Sequence, residues 1–282
     1  MKNSALKSLG NFLGWTIIAV LAVVNTARIN MIYGILTALI IVLVFLYSKR
    51  SVFMFIKGQG LFNSGNKEGA FRWFERAYKS GLKPRNALYW AYLVLRDGDL
   101  SKSEKLIDEI VRYHKKELDR NDLVNAAINR ALICWKKGDL EGAIERAEEI
   151  YNSGVKTTAL YGILGYWYML SGDNEKALKI NEEAYEYNSS DQIICDNLAQ
   201  NYFLSGNKEK AEEMYKKLLS ENPNFIEPYY NYAMILKSNG DLSGAKENFE
   251  KALTFDEKFL STVTHDMVKK ELDTVNGGFK EQ

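Results

Sequence analysis

The chain has 282 residues with 37 basic and 36 acidic side chains, a net charge of +1, and only two cysteines and two histidines. That balance hides a split, because residues 1–57 carry six basic and no acidic residues, leaving 31 basic and 36 acidic, net −5, in the remainder. A mildly acidic remainder excludes the basic face that nucleic acid requires, and two cysteines supply neither a disulfide framework nor a metal cluster.

Residues 8–27 contain no charge, and neither do residues 29–48. Each run of 20 residues would form a helix of about 30 Å, the thickness of a bilayer core. The two runs are therefore expected to form a transmembrane hairpin over residues 1–50, with spans at about 9–26 and 30–48. Arg28 lies between them, where it would cost roughly 2.5–3.5 kcal/mol inside one long span but little at a turn on the far surface. Lys2 and Lys7 precede the first run, and Lys49, Arg50 and Lys57 follow the second. The bias places the N-terminus and everything after residue 50 on the cytoplasmic side of a cell membrane. Asn25-Thr26-Ala27 lacks the small residue three before a cut, which argues against a cleaved signal peptide. The basic stretch suits anionic lipid, with the bilayer contacted through residues 8–48. No Gly, Ser or Pro linker follows Arg50, so the second span either runs directly into the next helix or breaks briefly at residues 48–51.

Six small pairs then recur: Gly65-Asn66, Gly98-Asp99, Gly138-Asp139, Gly172-Asp173, Gly206-Asn207 and Gly240-Asp241, spaced 33, 40, 34, 34 and 34 residues apart. A fixed period of this size marks an array of units that bury their apolar faces on one another. Seven residues before each glycine stands Gly58, Ala91, Ala131, Gly165, Ala199 or Ala233; five after stands Ala70, Ser103, Ala143, Ala177, Ala211 or Ala245. Small residues at matched positions let two helices cross closely. Each unit reads as two antiparallel helices, the glycine ending the first in a left-handed conformation and the Asp or Asn capping the second. The interval of 40 places extra residues in the charged stretch 114–122, as a lengthened helix or solvated loop. Beyond the sixth unit, Phe259, Val263, Met267, Val268, Leu272 and Val275 recur at three to five residues, as in an amphipathic helix over 258–276 that caps the array, followed by a tail at 277–282.

This pattern resembles the tetratricopeptide repeat, most closely over residues 226–252, where Tyr229, Asn231, Ala233, Gly240-Asp241, Ala245, Phe249 and Ala252 fall in register. Only Pro223 stands at the proline site that often closes a repeat, Ala147 and Asn181 replace an aromatic, and Ser103 replaces an alanine. The resemblance implies an all-α fold, a right-handed α-solenoid of six units at about 51–83, 84–122, 124–157, 158–191, 192–225 and 226–257. It also implies that the first helices line a concave groove for a protein or peptide ligand. The residues then expected in the groove are Leu88 and Tyr92; Ile128, Leu132 and Trp135; Tyr166 and Met169; Gln200 and Phe203; and Tyr230 and Met234. Asn129, Asn197 and Asn231 are placed to bond a peptide backbone. Arg85, Arg96, Lys136 and Lys237 are scattered over different units, so a hydrophobic segment fits better than an acidic C-terminus.

His114 and His265 have no partner at metal-ligand spacing, and no glycine-rich phosphate loop is present, so no metal, cofactor or catalysis is expected. The leading reading is a membrane-anchored adaptor whose groove recruits a protein partner, with no oligomeric state specified. The alternative is an accessory subunit whose hairpin packs on a transporter or channel through Gly14, Ala19 and Ala22, the repeats merely stabilising assembly.

Overall fold

The computed structural model describes residues 2–278, with side chains from 14 to 277. Among the described residues all regular structure is helical, in fifteen α-helices and one short 3-10 turn. Two compact units emerge, Met1–Lys83 and Pro84–Gln282, so the first helix pair groups with the N-terminal helices.

The N-terminal unit holds α1 (Lys2–Ile29), α2 (Met31–Ser48), α3 (Arg50–Asn63) and α4 (Lys67–Lys79). Asn30 is extended between α1 and α2 and caps α2, accepting from Ile32 N at 2.8 Å. The two helices pack together. Their half-buried positions recur at helical spacing, Ala19, Ala22, Val23 and Thr26 on one and Thr37, Ala38 and Ile41 on the other. Gly34 is buried, and a Cβ there would lie 2.5 Å from the Cβ of Ala27. The remaining faces leave Trp15, Ile18, Leu36, Leu43 and Phe45 exposed, an apolar surface unsuited to water. Among the described residues only α2 is both long and apolar enough to cross a membrane, with 18 residues of mean hydropathy 2.4. The described apolar part of α1, Gly14–Ile29, reaches only about 24 Å, short of a bilayer core of about 30 Å. The structure thus supports one span-length helix where two were expected; the side chains of residues 9–13 lie outside the described part. Between α2 and α3 the break is one residue, Lys49, and the bonds run through it: Lys49 N donates to Phe45 O at 3.1 Å and Phe53 N to Lys49 O at 3.2 Å.

In α3 and α4, Phe55 meets Phe74 with ring centroids 5.3 Å apart. A Cβ on Gly58 would come within 2.7 Å of the Phe74 ring, which is why glycine rather than alanine stands there.

The second unit continues with α5 (Pro84–Arg96) and α6 (Leu100–His114), α7 (Arg120–Lys136) and α8 (Leu140–Asn152), α9 (Thr158–Leu170) and α10 (Asn174–Tyr187). After these come α11 (Gln192–Leu204) and α12 (Lys208–Ser220), α13 (Glu227–Ser238) and α14 (Leu242–Ala252), and the last helix α15 (His265–Gly278). All six turn glycines take positive φ, from 81° at Gly172 to 94° at Gly98. Each following Asp or Asn accepts from the backbone N–H three residues on, for example Asp139 from Gly142 at 2.9 Å. Its own N–H reaches back to the carbonyl five residues earlier, as Asp241 does to Leu236 at 3.0 Å, so the orphan groups of both helix ends are satisfied. Ala91, Ala131, Ala199 and Ala233 face the helix crossings fully buried, as do Ala70, Ala143, Ala177, Ala211 and Ala245. Ser103, in an alanine's place, donates to the Ala91 carbonyl at 2.8 Å across the pair. The longer interval resolves into an α7 that starts at Arg120, ahead of the expected 124, and the 3-10 turn Lys115–Glu117.

Neighbouring units are tied by carboxylates as well as by packing. Glu183 on α10 accepts from Lys156, from Tyr151 on α8 and from Tyr161 on α9, the last at 2.8 Å. Burial pushes Glu183 up, but these three donors outweigh it and hold the carboxyl at about 2. Stability from this cluster is therefore full above pH ~4.5 and lost as pH falls toward ~2. Glu183→Gln is expected to be less stable than wild type at pH 7 and to show a flatter profile below pH 4.5, measured by urea unfolding at several pH values.

Candidate functional site

The last connection departs from the repeat. Residues 253–264 separate α14 from α15, whereas four residues, 188–191, join α10 to α11 and six, 221–226, join α12 to α13. The capping helix consequently begins at His265 and not at 258. Thr264 accepts from Met267 N at 3.2 Å and Glu257 accepts from His265 N at 2.7 Å, so the local bonds start the helix there. Val263, Val268 and Val275 are buried with Phe249, Tyr229 and Leu236, with Tyr230, Met234 and Leu272 packed against them. Lys237 donates to Glu271 at 2.6 Å and to Thr274 at 2.7 Å. Residues 279–282 of the expected tail lie outside the described part.

The connection itself crosses the face of the first helices. Ser261 N donates to Lys258 O at 2.9 Å, closing a turn with Phe259 and Leu260 at its tip. Phe259 lies against Gly98, where an added Cβ would stand 3.1 Å from its ring. The Lys136 ammonium sits 4.3 Å from the Trp135 ring centroid and 5.2 Å from that of Phe259, and donates to Ser261 O at 3.4 Å. Glu227 accepts from Thr262 N at 2.7 Å and Thr262 Oγ1 at 3.2 Å, and Tyr166 lies beside the same threonine. Residues of α7, α9 and α13, with the turn after α5, thus converge on one short segment.

Electrostatics follow from this partial enclosure. Burial draws the Lys136 ammonium below its ordinary value, against the opposing charges of Glu227 and Glu257, and pushes Tyr166 up to about 12. Beneath them Asp196 is 4% exposed; it accepts from Tyr215 Oη at 3.0 Å and Asn231 Nδ2 at 3.1 Å. Burial raises it to about 7, with the charge of Glu227 adding to the effect.

The residues expected in the groove are all buried or half-buried, and none is fully exposed. Leu88, Ile128, Leu132 and Met169 are buried, and Tyr92, Gln200, Phe203, Tyr230 and Met234 are half-buried. Trp135 and Tyr166, also half-buried, meet edge-on at 6.2 Å. Asn129, Asn197 and Asn231 are buried. Two of these amides bridge neighbouring units: Asn197 Nδ2 donates to Gly162 O at 2.8 Å and Asn231 Nδ2 to Asp196. Those N–H groups are therefore not presented to a ligand backbone. Of the basic candidates, Arg85 pairs with Asp122 at 2.9 Å and with Asp119, and Lys136 and Lys237 engage the C-terminal segment. Glu227 and Thr262 are not singled out by the sequence, and Phe259 is read there only as part of the capping helix; the connection of residues 253–264 brings the three together. Among the described residues no group of three or more His, Cys, Asp or Glu side chains is arranged to hold a metal ion.

Comparison with known proteins agrees with this architecture. Residues 193–225 and 214–247 each match a family model described as Tetratricopeptide repeat, and the chain carries these repeats in an all-helical array. TTC0263, a thermophilic TPR protein of Thermus thermophilus, superposes with a TM-score of 0.54 at 19% identity, over 68% of this chain and 98% of that one. PilF of Pseudomonas aeruginosa superposes with a TM-score of 0.55 at 12% identity, over 73% and 91%. A tetratricopeptide repeat protein from Parabacteroides merdae gives 0.50 at 14% identity, over 80% and 98%. At these identities the likeness is one of fold. No curated protein matches the sequence.

Proposed function

We propose that this protein is a membrane-anchored adaptor that binds a protein or peptide segment on the face formed by its first helices, at the cytoplasmic surface, without catalysis. The observation that carries the reading is the convergence of Gly98, Lys136 and Glu227, from three separate repeats, on one polypeptide segment. A surface able to hold the backbone and side chains of its own chain in this way has the chemistry to hold another's.

Membrane attachment is supported by α2 and by charge. Met1–Lys83 contains eleven basic and two acidic residues, net +9, and Pro84–Gln282 twenty-six basic and thirty-four acidic, net −8. A basic unit next to an apolar helix favours an anionic cytoplasmic leaflet, and the acidic repeats are repelled from it. Attachment raises the local concentration of whatever the repeats bind, so a weak site suffices. The reading in which the hairpin itself packs on a transporter is less well supported, since Ala19 and Ala22 are already half-buried within the N-terminal unit.

Crosslinking in intact membranes followed by mass spectrometry tests the proposal. Specific partners of wild type are expected to disappear from a Trp135→Ala, Tyr166→Ala, Phe203→Ala variant whose helicity and melting are unchanged. Identical partner lists would place binding on the hairpin or the outer face and overturn the assignment.

A further inference from the structure

Resting on the groove reading, we infer that residues 258–262 are an internal pseudo-ligand, and that the partner displacing them is a protein turn with an aromatic residue at its tip and Ser or Thr three positions later.

The seat is described by what it holds. Gly98 has no side chain, and its φ of 94° leaves a flat place against which the edge of an aromatic ring fits. Lys136 reads the ring face and, from the same ammonium, a backbone carbonyl two residues on, at Ser261. Glu227 reads both the backbone N–H and the hydroxyl of Thr262. An aromatic group, a carbonyl and a donor pair in fixed order make a recognition pattern that a generic apolar groove would lack.

The occupant is built to leave. Phe259 is 37% exposed even when seated, and Lys258 beside it faces solvent. Residues 253–264 form no α-helix, and the first fully buried side chain after the tip is Val263, 5% exposed. Withdrawal of residues 258–262 therefore leaves Phe255 stacked on Tyr229, Glu257 at the start of α15, and Val263 and α15 in place as the cap. A competing turn need only replace an exposed phenylalanine and a few hydrogen bonds, so the seated segment lowers affinity for outside partners without abolishing it.

The test uses the full chain in nanodiscs and a fluorescent peptide of residues 254–264. A Phe259→Ala, Thr262→Ala variant, altered only at partly exposed positions, is expected to bind the peptide about tenfold more tightly than wild type. The same peptide carrying Phe259→Ala should not bind. Trypsin cleavage after Lys258 of wild type should accelerate as unaltered peptide is added, an independent readout should the variant fold poorly. Equal binding by wild type and variant, with no change in cleavage, would show that the segment is a fixed part of the fold and overturn the proposal. The groove assignment would still stand if the crosslinking contrast held, so the two failures are distinguishable. A variant that becomes dimeric through exchange of this segment would show that a second copy is the occupant, and would also overturn the choice of partner.

Discussion

Raising the pH from 4.5 to 8 is expected to destabilise the repeat array, and Asp196→Asn is expected to remove most of that loss. Asp196 is buried with its carboxyl raised to about 7, whereas the unfolded chain releases that proton near 3.9. Below about pH 4 both states hold the proton and there is no penalty. Between about 4 and 7 the unfolded state ionises first, so stability falls with rising pH; above 7 the penalty is complete. The separation corresponds to at most about 4 kcal/mol. Asparagine has the shape of the protonated acid and keeps an oxygen to accept from Tyr215 and Asn231. The variant should match wild type near pH 4.5 and exceed it at pH 8 in chemical denaturation. A difference that does not change with pH would mean that Asp196 does not titrate in the fold.

The second large effect concerns the crossing of α9 and α10. A Cβ placed on Gly165 would stand 1.9 Å from Asn181 Oδ1, so the glycine is there because the asparagine is. Asn181 is 1% exposed and donates to Asn201 Oδ1 at 3.2 Å. In an ordinary helix Gly→Ala gains up to about 1 kcal/mol; here overpacking of roughly 1–3 kcal/mol opposes it. Gly165→Ala is expected to lose roughly 1–2 kcal/mol net. The Gly165→Ala, Asn181→Ala double variant restores a small-on-small crossing and should be more stable than the two single losses summed, with a coupling of roughly 2 kcal/mol. Strict additivity in a double-mutant cycle would show that the two side chains do not compete for this space.

What could be read in advance was what is decided locally. The turn at Gly172-Asp173 needs a residue tolerant of positive φ and an acceptor for the N–H of Lys176, and both requirements lie within five residues of chain. The spacing of Gly165 and Ala177 likewise reports one pair of helices. Exposure of the groove is not a local property. Tyr166 and Trp135 stand on the first helices of their pairs, but how far they meet solvent depends on the segment around Phe259 and Thr262, which shares no sequence pattern with them. Phe259, Val263 and Met267 even mimic one helical stripe, although Thr264 caps the helix partway along it. Asn197 and Asn231 show a related limit, because an amide suited to a ligand backbone is equally suited to the adjoining repeat.

The bond from Lys136 to Ser261 joins residues 125 apart in a chain whose other contacts run mostly between adjacent helices. An array held together only by neighbour-to-neighbour interfaces unfolds in stages, and its ends fray independently of its middle. A tether from the last connection to the second and third repeats closes that line into a loop, so those repeats cannot open without releasing the C-terminal segment. Unfolding of the seated form should therefore be more nearly all-or-none, and formation of the tether should be a late, slow step because it must close a long stretch of chain. An occupied groove would then change not only what the protein can bind but how cooperatively it holds its shape.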